Sequence, residues 1–396
     1  MNIKEISSNI YYTGVNDRSS EKFEALWHLR NGVSYNSYIV QSNKIALIDT
    51  VHTTNSTEFA NSILNIIGQQ PIDYLVINHM EPDHSGSIIN IIQAYPDIKI
   101  IGNKLTISMI KGFYNICDDN RFIEVKDNDE ISLGDKTLKF IMTPMIHWPE
   151  TMMTYIKEQN LIFSGDAFGA FGALNGGVID HEINTDIYFE EMYRYYSNIV
   201  GKYGTFVQKA LSKTKNYAID YICPTHGPVW HNEIDKVVTL YDNLSRYEAQ
   251  NGIVIVYGSM YGNTAILVDE IAQNLCMHGI KNIKIHNISN AELSDILADI
   301  FKYKGLIIGA PTYSMTLFPP IETLMKALQT RELKNRIFAT FGSYTWSSVA
   351  TKKLSEYAQT MNMPIIASLE MKQSISNEVI NNVKDFAKVF IDKLNE

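Results

Sequence analysis

Short apolar runs separated by turn-forming clusters occupy the chain from the amino terminus to about Tyr241. Ser34–Val40, Lys44–Asp49, Tyr74–Asn78, Lys136–Met142 and Asn160–Phe163 read as strands, and Glu190–Leu211 and Glu233–Ala249 carry helical patterning. Many strands with few helices predict two sheets covered by helices, an αββα sandwich. After Arg246–Gly252 the texture changes. Continuously apolar strands at Ile253–Tyr257, Ile283–His286, Gly305–Ile308, Arg336–Thr340 and Met363–Ala367 alternate with helical stretches, the pattern of a doubly wound parallel sheet buried on both faces. The boundary is expected near Gln250, giving domains 1–249 and 250–396.

Composition narrows the class. With 45% hydrophobic and 19% charged residues in 396, the chain is neither disordered nor fibrous. Its net charge of -9, without a basic block, disfavours nucleic acid. No apolar stretch approaches the ~20 residues that span a bilayer, and Met1–Gly14 interleaves polar residues where a signal peptide would be continuously apolar. Three cysteines, Cys117, Cys223 and Cys276, stand far apart without a CxxC pair. A disulfide framework, a four-thiolate zinc site and an iron–sulfur centre therefore lack ligands. Each cysteine reads as a small buried apolar residue, and a reducing cytoplasm is the expected location.

The strongest chemical signal is Asn78-His79-Met80-Glu81-Pro82-Asp83-His84, directly after the Tyr74–Ile77 run. Pro82-Asp83 alone would be an ordinary turn. His79, Glu81, Asp83 and His84 released together at a strand end can instead converge on metal. His147, Asp166 and His226 each follow a strand-like run in the same way. Singly, each is as well explained as a core histidine, a turn former or a loop residue; the joint pattern points to metal. His28, His52, His181, His231, His278 and His286 fit no such position and read as surface or packing residues.

A second signal follows Ile255-Val256-Tyr257. Gly258-Ser259-Met260-Tyr261-Gly262-Asn263-Thr264 joins the first strand of the parallel sheet to the helical stretch Ala265–His278. Small and hydroxyl residues there turn backbone N–H groups toward one spot, and a helix N-terminus favours an anion, which suits a phosphate. The lysine and magnesium-ligand spacing of a nucleotide-hydrolysing loop is missing. Ala310-Pro311-Thr312-Tyr313-Ser314 and Phe341-Gly342-Ser343-Tyr344-Thr345-Trp346 lie at later strand ends, where ligands of such sheets sit. Taken alone, Tyr313, Tyr344 and Trp346 are equally well read as packing residues; beside this loop they can flank a planar ligand ring.

HxExDH followed by His147, Asp166 and His226, in this order and spacing, resembles the metallo-β-lactamase-like domain, and the loop after Tyr257 resembles the flavodoxin phosphate loop. Together they cover essentially the whole chain and resemble a minimal flavodiiron protein. Phe23-Glu24, Gly32–Tyr38 and Tyr195–Val200 resemble segments of that family as well. Hydrolases carry HxHxDH. Glu81 replaces their second histidine, and its extra negative charge favours a pair that must also hold the ferric state. The resemblance implies His79, Glu81 and His147 on one iron, Asp83, His84 and His226 on the other, and Asp166 between them. It makes Tyr195 and Tyr196 candidates for the layer behind the metals, and Ser259–Thr264, Pro311–Ser314 and Gly342–Trp346 candidate FMN contacts. It implies reduction of dioxygen to water, of nitric oxide to nitrous oxide, or both, in a head-to-tail homodimer or dimer of dimers. The chain has no rubredoxin-type cysteines, so electrons are expected from a separate donor, a rubredoxin or a diffusible reduced cofactor. The competing readings are a zinc hydrolase with an accessory flavodoxin domain and a flavin electron carrier.

Overall fold

The computed structural model describes residues 3–396; of the amino-terminal run read above, Met1 and Asn2 lie outside the described residues. Two compact units emerge. The first runs to Tyr196 and resumes over Tyr203–Asp242, and the second comprises Ser197–Lys202 and Asn243–Glu396.

The first unit contains a seven-stranded sheet in the order Lys4–Ser7, Ile10–Tyr12, Tyr38–Gln41, Ile45–Ile48, Tyr74–Val76, Lys99–Gly102 and Phe122–Glu124, antiparallel at first and parallel from Ile45–Ile48 onward. A five-stranded sheet follows, ordered Glu130–Ser132, Thr137–Met142, Met152–Ile156, Leu161–Gly165 and Tyr221–Pro224. Tyr38 of one sheet meets Phe163 of the other at 5.1 Å between ring centroids, and both rings are fully buried. The strands Ile45–Ile48, Met152–Ile156 and Leu161–Gly165 are buried at every position, which explains their lack of polar alternation. Amphipathic helices such as Ser56–Ile67 bury one stripe, here Phe59, Ser62, Ile63 and Ile67. This is the metallo-β-lactamase-like sandwich.

In the second unit the strands Ile283–Asn287, Gln250–Tyr257, Tyr303–Tyr313, Ile337–Tyr344 and Ile365–Lys372 lie side by side, all parallel. Read in chain order this is 2-1-3-4-5, the flavodoxin-like arrangement with its crevice beside the first strand. Ile253, Ile255, Ile307, Phe341 and Leu369 pack with Leu267, Ile271, Phe386 and Phe390 of the helices Asn263–Met277 and Asn377–Asn395. The alternate residues Val254, Val256, Leu306, Ile308 and Phe338 are equally buried, so both faces of the sheet are covered. Arg336 is buried at the base of this unit and donates to the carbonyls of Ile300, Phe301 and Tyr247.

Three expectations need correction. The single helix over Glu190–Leu211 is instead an α-helix Asp186–Tyr195, a π-helical turn Tyr196–Val200, a short 3-10 turn Gly201–Tyr203 and an α-helix Gly204–Thr214. Gly201 and Gly204 weaken α-helix there, and Arg331 draws the Ser197 and Asn198 carbonyls out of the ladder at 2.7 and 3.3 Å. The strand over Ser34–Val40 breaks at Asn36, whose side-chain amide donates to the Pro224 and Gly227 carbonyls at 2.9 and 2.8 Å. Of the cysteines only Cys223 is buried: Cys117 lies in the loop after the helix Lys104–Tyr114, and Cys276 sits on the outer face of its helix.

Candidate metal centre and flavin cleft

The residues of the first signal all follow strand ends, where backbone pairing has stopped and side chains are free to turn inward. His79 and Glu81 come from the loop after Tyr74–Val76, and Asp83 and His84 from the single helical turn Pro82–Ser85 that it enters. His147, Asp166 and His226 follow Thr137–Met142, Leu161–Gly165 and Tyr221–Pro224. All seven are buried and form two groups: His79, Glu81, His147 and Asp166, and Asp83, His84 and His226. Within each group the potential ligand atoms lie within 4.8 Å of one another.

Asp166 reaches both groups. Its Oδ2 is 3.3 Å from His79 Nε2 and from His147 Nε2, while Oδ1 is 3.0 Å from His84 Nε2. Glu81 Oε2 lies 3.0 Å from His147 Nε2 and 3.4 Å from His79 Nε2, and Asp83 Oδ2 lies 3.2 Å from both His84 Nε2 and His226 Nε2. Two ligands bound at ~2.1 Å to one ion stand about 3.0–3.4 Å apart, the spacing seen here. His79 Nε2, His226 Nε2, both Asp83 oxygens and Asp166 Oδ2 are buried yet have no hydrogen-bond partner among the described residues. Polar atoms that approach one another without hydrogen-bonding, in a pocket closed to solvent, fit a cation held between them.

The supporting layer sets their direction. His79 Nδ1 donates to Glu150 Oε1 at 2.8 Å, and the same oxygen accepts from the Met80 N–H at 2.9 Å. His226 Nδ1 donates to the Ser34 carbonyl at 2.8 Å. Each bond leaves Nε2 as the bare nitrogen facing the pocket. His84 differs: neither ring nitrogen has a hydrogen-bond partner among the described residues. Thr225 Oγ1 donates to Asp166 Oδ1 at 2.6 Å. Asp49 accepts from the backbone and side-chain N–H groups of Asn78, anchoring the start of the ligand loop. Tyr195 is fully buried, with its ring 5.5 Å from that of His226 and its hydroxyl without a hydrogen-bond partner among the described residues, whereas Tyr196 packs on Tyr241. Glu150, Thr225, Ser34, Asn36 and Asp49 escaped the sequence reading. Glu150 alone had a visible signal, an acidic residue three positions after His147 in a segment otherwise built for the core.

Electrostatics follow from this crowding. Burial would raise the Asp166 carboxyl, but His79 and His84 hold it well below its ordinary range. Burial disfavours the imidazolium forms of His84 and His147, yet carboxylates outweigh it and raise both to about 9: Asp83 and Asp166 act on His84, Asp166 and Glu81 on His147. Without metal, these histidines thus stabilise the fold in their protonated forms. That contribution is complete below their ordinary value of 6.5 and is lost as pH rises through about 9. The chelator-treated chain is expected to lose thermal stability across this window, while the metal-loaded chain, its imidazoles already neutral, changes less. Equal pH slopes in the two forms, measured by calorimetry, would contradict this.

The second signal forms a cleft of about 440 Å³ in the second unit, within the range of cofactor pockets. Met260, Tyr261, Asn263, Thr264, Pro311, Thr312, Tyr313, Ser314, Ser343, Tyr344, Thr345 and Trp346 line it, whereas Ser259, Gly262 and Gly342 do not. Those three act behind the wall. Ser259 Oγ accepts from the Gly262 N–H at 3.2 Å, and Gly262, at φ 92°, starts the helix Asn263–Met277 in a conformation few other residues adopt. A side chain at position 342 would press on Thr351. Thr264 Oγ1 and Ser343 Oγ are 2.8 Å apart, tying the start of that helix to a lining strand end. Met315, Ser347 and Gln373 also line the cleft and were not expected. Ser314 and Met315 both have positive φ, forming the two-residue hairpin between Tyr313 and Thr316 that turns Met315 toward the opening. Tyr261 is 90% exposed and Trp346 82% exposed, so neither is a packing residue within this chain.

Comparison with known proteins agrees with both halves. Residues 33–227 match the family described as ODP family beta lactamase, and residues 255–378 match the flavodoxin family. An uncharacterized protein of Methanocaldococcus jannaschii is 33% identical over 98% of both chains. The anaerobic nitric oxide reductase flavorubredoxin of Escherichia coli O1:K1 is 32% identical over 93% of this chain and 77% of its own. Among solved structures, rubredoxin oxygen:oxidoreductase of Desulfovibrio gigas superposes with a TM-score of 0.94 at 26% identity, over 100% of this chain and 99% of that one.

Proposed function

The chain belongs to the flavodiiron protein family, and on that footing we propose that it reduces dioxygen to water, nitric oxide to nitrous oxide, or both, at an iron pair served by FMN. The observation that carries this reading is the pair of buried ligand groups sharing Asp166, in a chain that also has a flavodoxin-type cleft. In it, His79, Glu81 and His147 would hold one iron and Asp83, His84 and His226 the other, with Asp166 in reach of both groups.

When bound, the irons and the flavin supply the electrons, two from the ferrous pair and two from the reduced ring, enough for dioxygen to reach water. The protein's part is to hold and shield. Glu81, Asp83 and Asp166 bring three negative charges to the pocket, which suits the ferric state better than a neutral third histidine would. Phe23 and Tyr195 lie against His226, and Trp148 lies edge-on to His79, closing the pocket with rings and keeping water from the reacting centre. At the other site Thr264, Asn263 and the loop amides would hold the phosphate, and Tyr313, Tyr344 and Trp346 would border the ring. Electrons enter from a separate donor, a rubredoxin or a diffusible reduced cofactor. A head-to-tail dimer completes the reading by covering the exposed aromatic rim with a second copy.

The test is dioxygen and nitric oxide consumption measured side by side, with iron, zinc and FMN quantified in the same sample. Rapid, peroxide-free consumption by iron- and FMN-loaded protein is expected. Zinc without iron would overturn the reading in favour of a hydrolase, and a flavin that cycles without consuming either gas would leave only an electron carrier.

A further inference from the structure

A small cavity in the first unit adjoins two of the loops that carry the metal-ligand candidates. Ile146 and Ala167 form part of its wall, and in the chain they are bonded to His147 and Asp166. Its outer end is formed by Leu211 and Thr214 of the helix Gly204–Thr214, both half-buried, whereas Ile146, Ala167, Phe168 and Tyr241 are buried. The free volume is about 10 Å³, the room one small molecule requires. The lining offers little to a water molecule, which inside a protein usually makes about three hydrogen bonds. The Thr214 hydroxyl is engaged by the Ala210 and Leu211 carbonyls at 3.1 and 3.3 Å, and the Tyr241 hydroxyl is buried without a hydrogen-bond partner among the described residues.

The wall includes a residue held under strain. Phe168, two positions after Asp166, has φ of 66°, a left-handed conformation unfavourable for a bulky side chain. Trp230 Nε1 donates to its carbonyl at 3.0 Å, and the Gly169 N–H donates to the Asp166 carbonyl at 3.1 Å, so the turn is fixed from both sides. In this conformation the Phe168 ring meets that of Tyr241 at 4.7 Å between centroids and closes the cavity. Strain stored directly beside a ligand motivates a functional role for the ring it aims.

We propose that this cavity is a staging site for a small neutral gas molecule on its way to the ligand groups, with Leu211 and Thr214 at its entrance and Phe168 as its inner wall. This rests on the gas-reduction reading above. An uncharged diatomic gives up no strong hydrogen bonds on leaving water, so a dry void of this size admits it, while water and anions would enter without the partners they need. Dispersion contacts alone hold the occupant, and no bond is made or broken there.

The experiment uses the full-length chain in two arms. In crystals pressurised with krypton, an atom is expected between Ile146, Phe168 and Leu211 in the parent and none in Ala210→Phe, whose added ring fills the void. In solution, Ala210→Phe is expected to raise KM for the gas about tenfold while the rate at saturating gas stays within a factor of about two. Leu211→Ala, which widens the outer end, is expected to lower KM and to raise krypton occupancy. An ordered water in place of krypton, or an empty cavity under krypton, overturns the proposal. So does a KM unmoved in both variants when circular dichroism shows them folded. Krypton binding requires neither metal nor turnover, so a chain that takes krypton but consumes neither gas would refute the functional reading, whereas gas consumption indifferent to both variants would refute the staging site.

Discussion

Asp166→Ala is expected to abolish the proposed gas reduction, whichever gas the parent consumes, lowering the rate by a factor on the order of 10³ or more, and to leave less than one iron per chain. The side chain is 1% exposed, and its two oxygens serve different groups, Oδ2 toward His79 and His147 and Oδ1 toward His84. Removing it takes one donor from each ion and the charge that holds both groups of histidines at one place. Asp166→Asn separates these roles. It keeps the volume and an oxygen for Thr225 but loses the charge, so partial metal binding without turnover is the expected intermediate. Iron content, turnover and circular dichroism on the same preparations check the prediction, and a folded alanine variant with two irons and a rate within tenfold of the parent would refute it.

Glu150→Ala is expected to weaken iron binding 10–100-fold although the residue contacts no ion. Glu150 is fully buried and fixes the ligand loop twice, through His79 Nδ1 and through the Met80 N–H. Without it, both donors are stranded in a closed pocket and the His79 ring is free to present the wrong nitrogen. Glu150→Gln retains an acceptor oxygen and should recover much of the loss. Competition with a chelator measures the affinity directly; equal affinities across parent, glutamine and alanine forms would show that His79 needs no such support.

What the sequence disclosed and what it hid divide along a physical line. The convergence of His79, Glu81, Asp83, His84, His147, Asp166 and His226 was legible because four potential ligands crowd into six positions and each of the seven follows a strand end, where the chain can release side chains inward. The parallel sheet was legible because strands buried on both faces leave unbroken apolar runs. Glu150 and Thr225 were not, since a carboxylate or hydroxyl whose task is to orient another side chain looks like any polar residue until the fold brings it there. Ser34 was beyond reach altogether, because its contribution to His226 is a backbone carbonyl. The helix over Glu190–Leu211 misled for a related reason: its apolar spacing is helical, and what interrupts it are two glycines and an arginine 134 residues from Ser197. In the cleft, Gln373 was missed because its place depends on the last strand's register, where its backbone N–H meets the Tyr344 carbonyl at 2.8 Å.

Thr225 loads one oxygen of Asp166 and has no counterpart at Oδ2 among the described residues. A carboxylate that already gives part of its electron density to a hydroxyl is the weaker base on that side. The two ends of this one side chain therefore offer unequal grip, and the centre is lopsided before any reactant arrives.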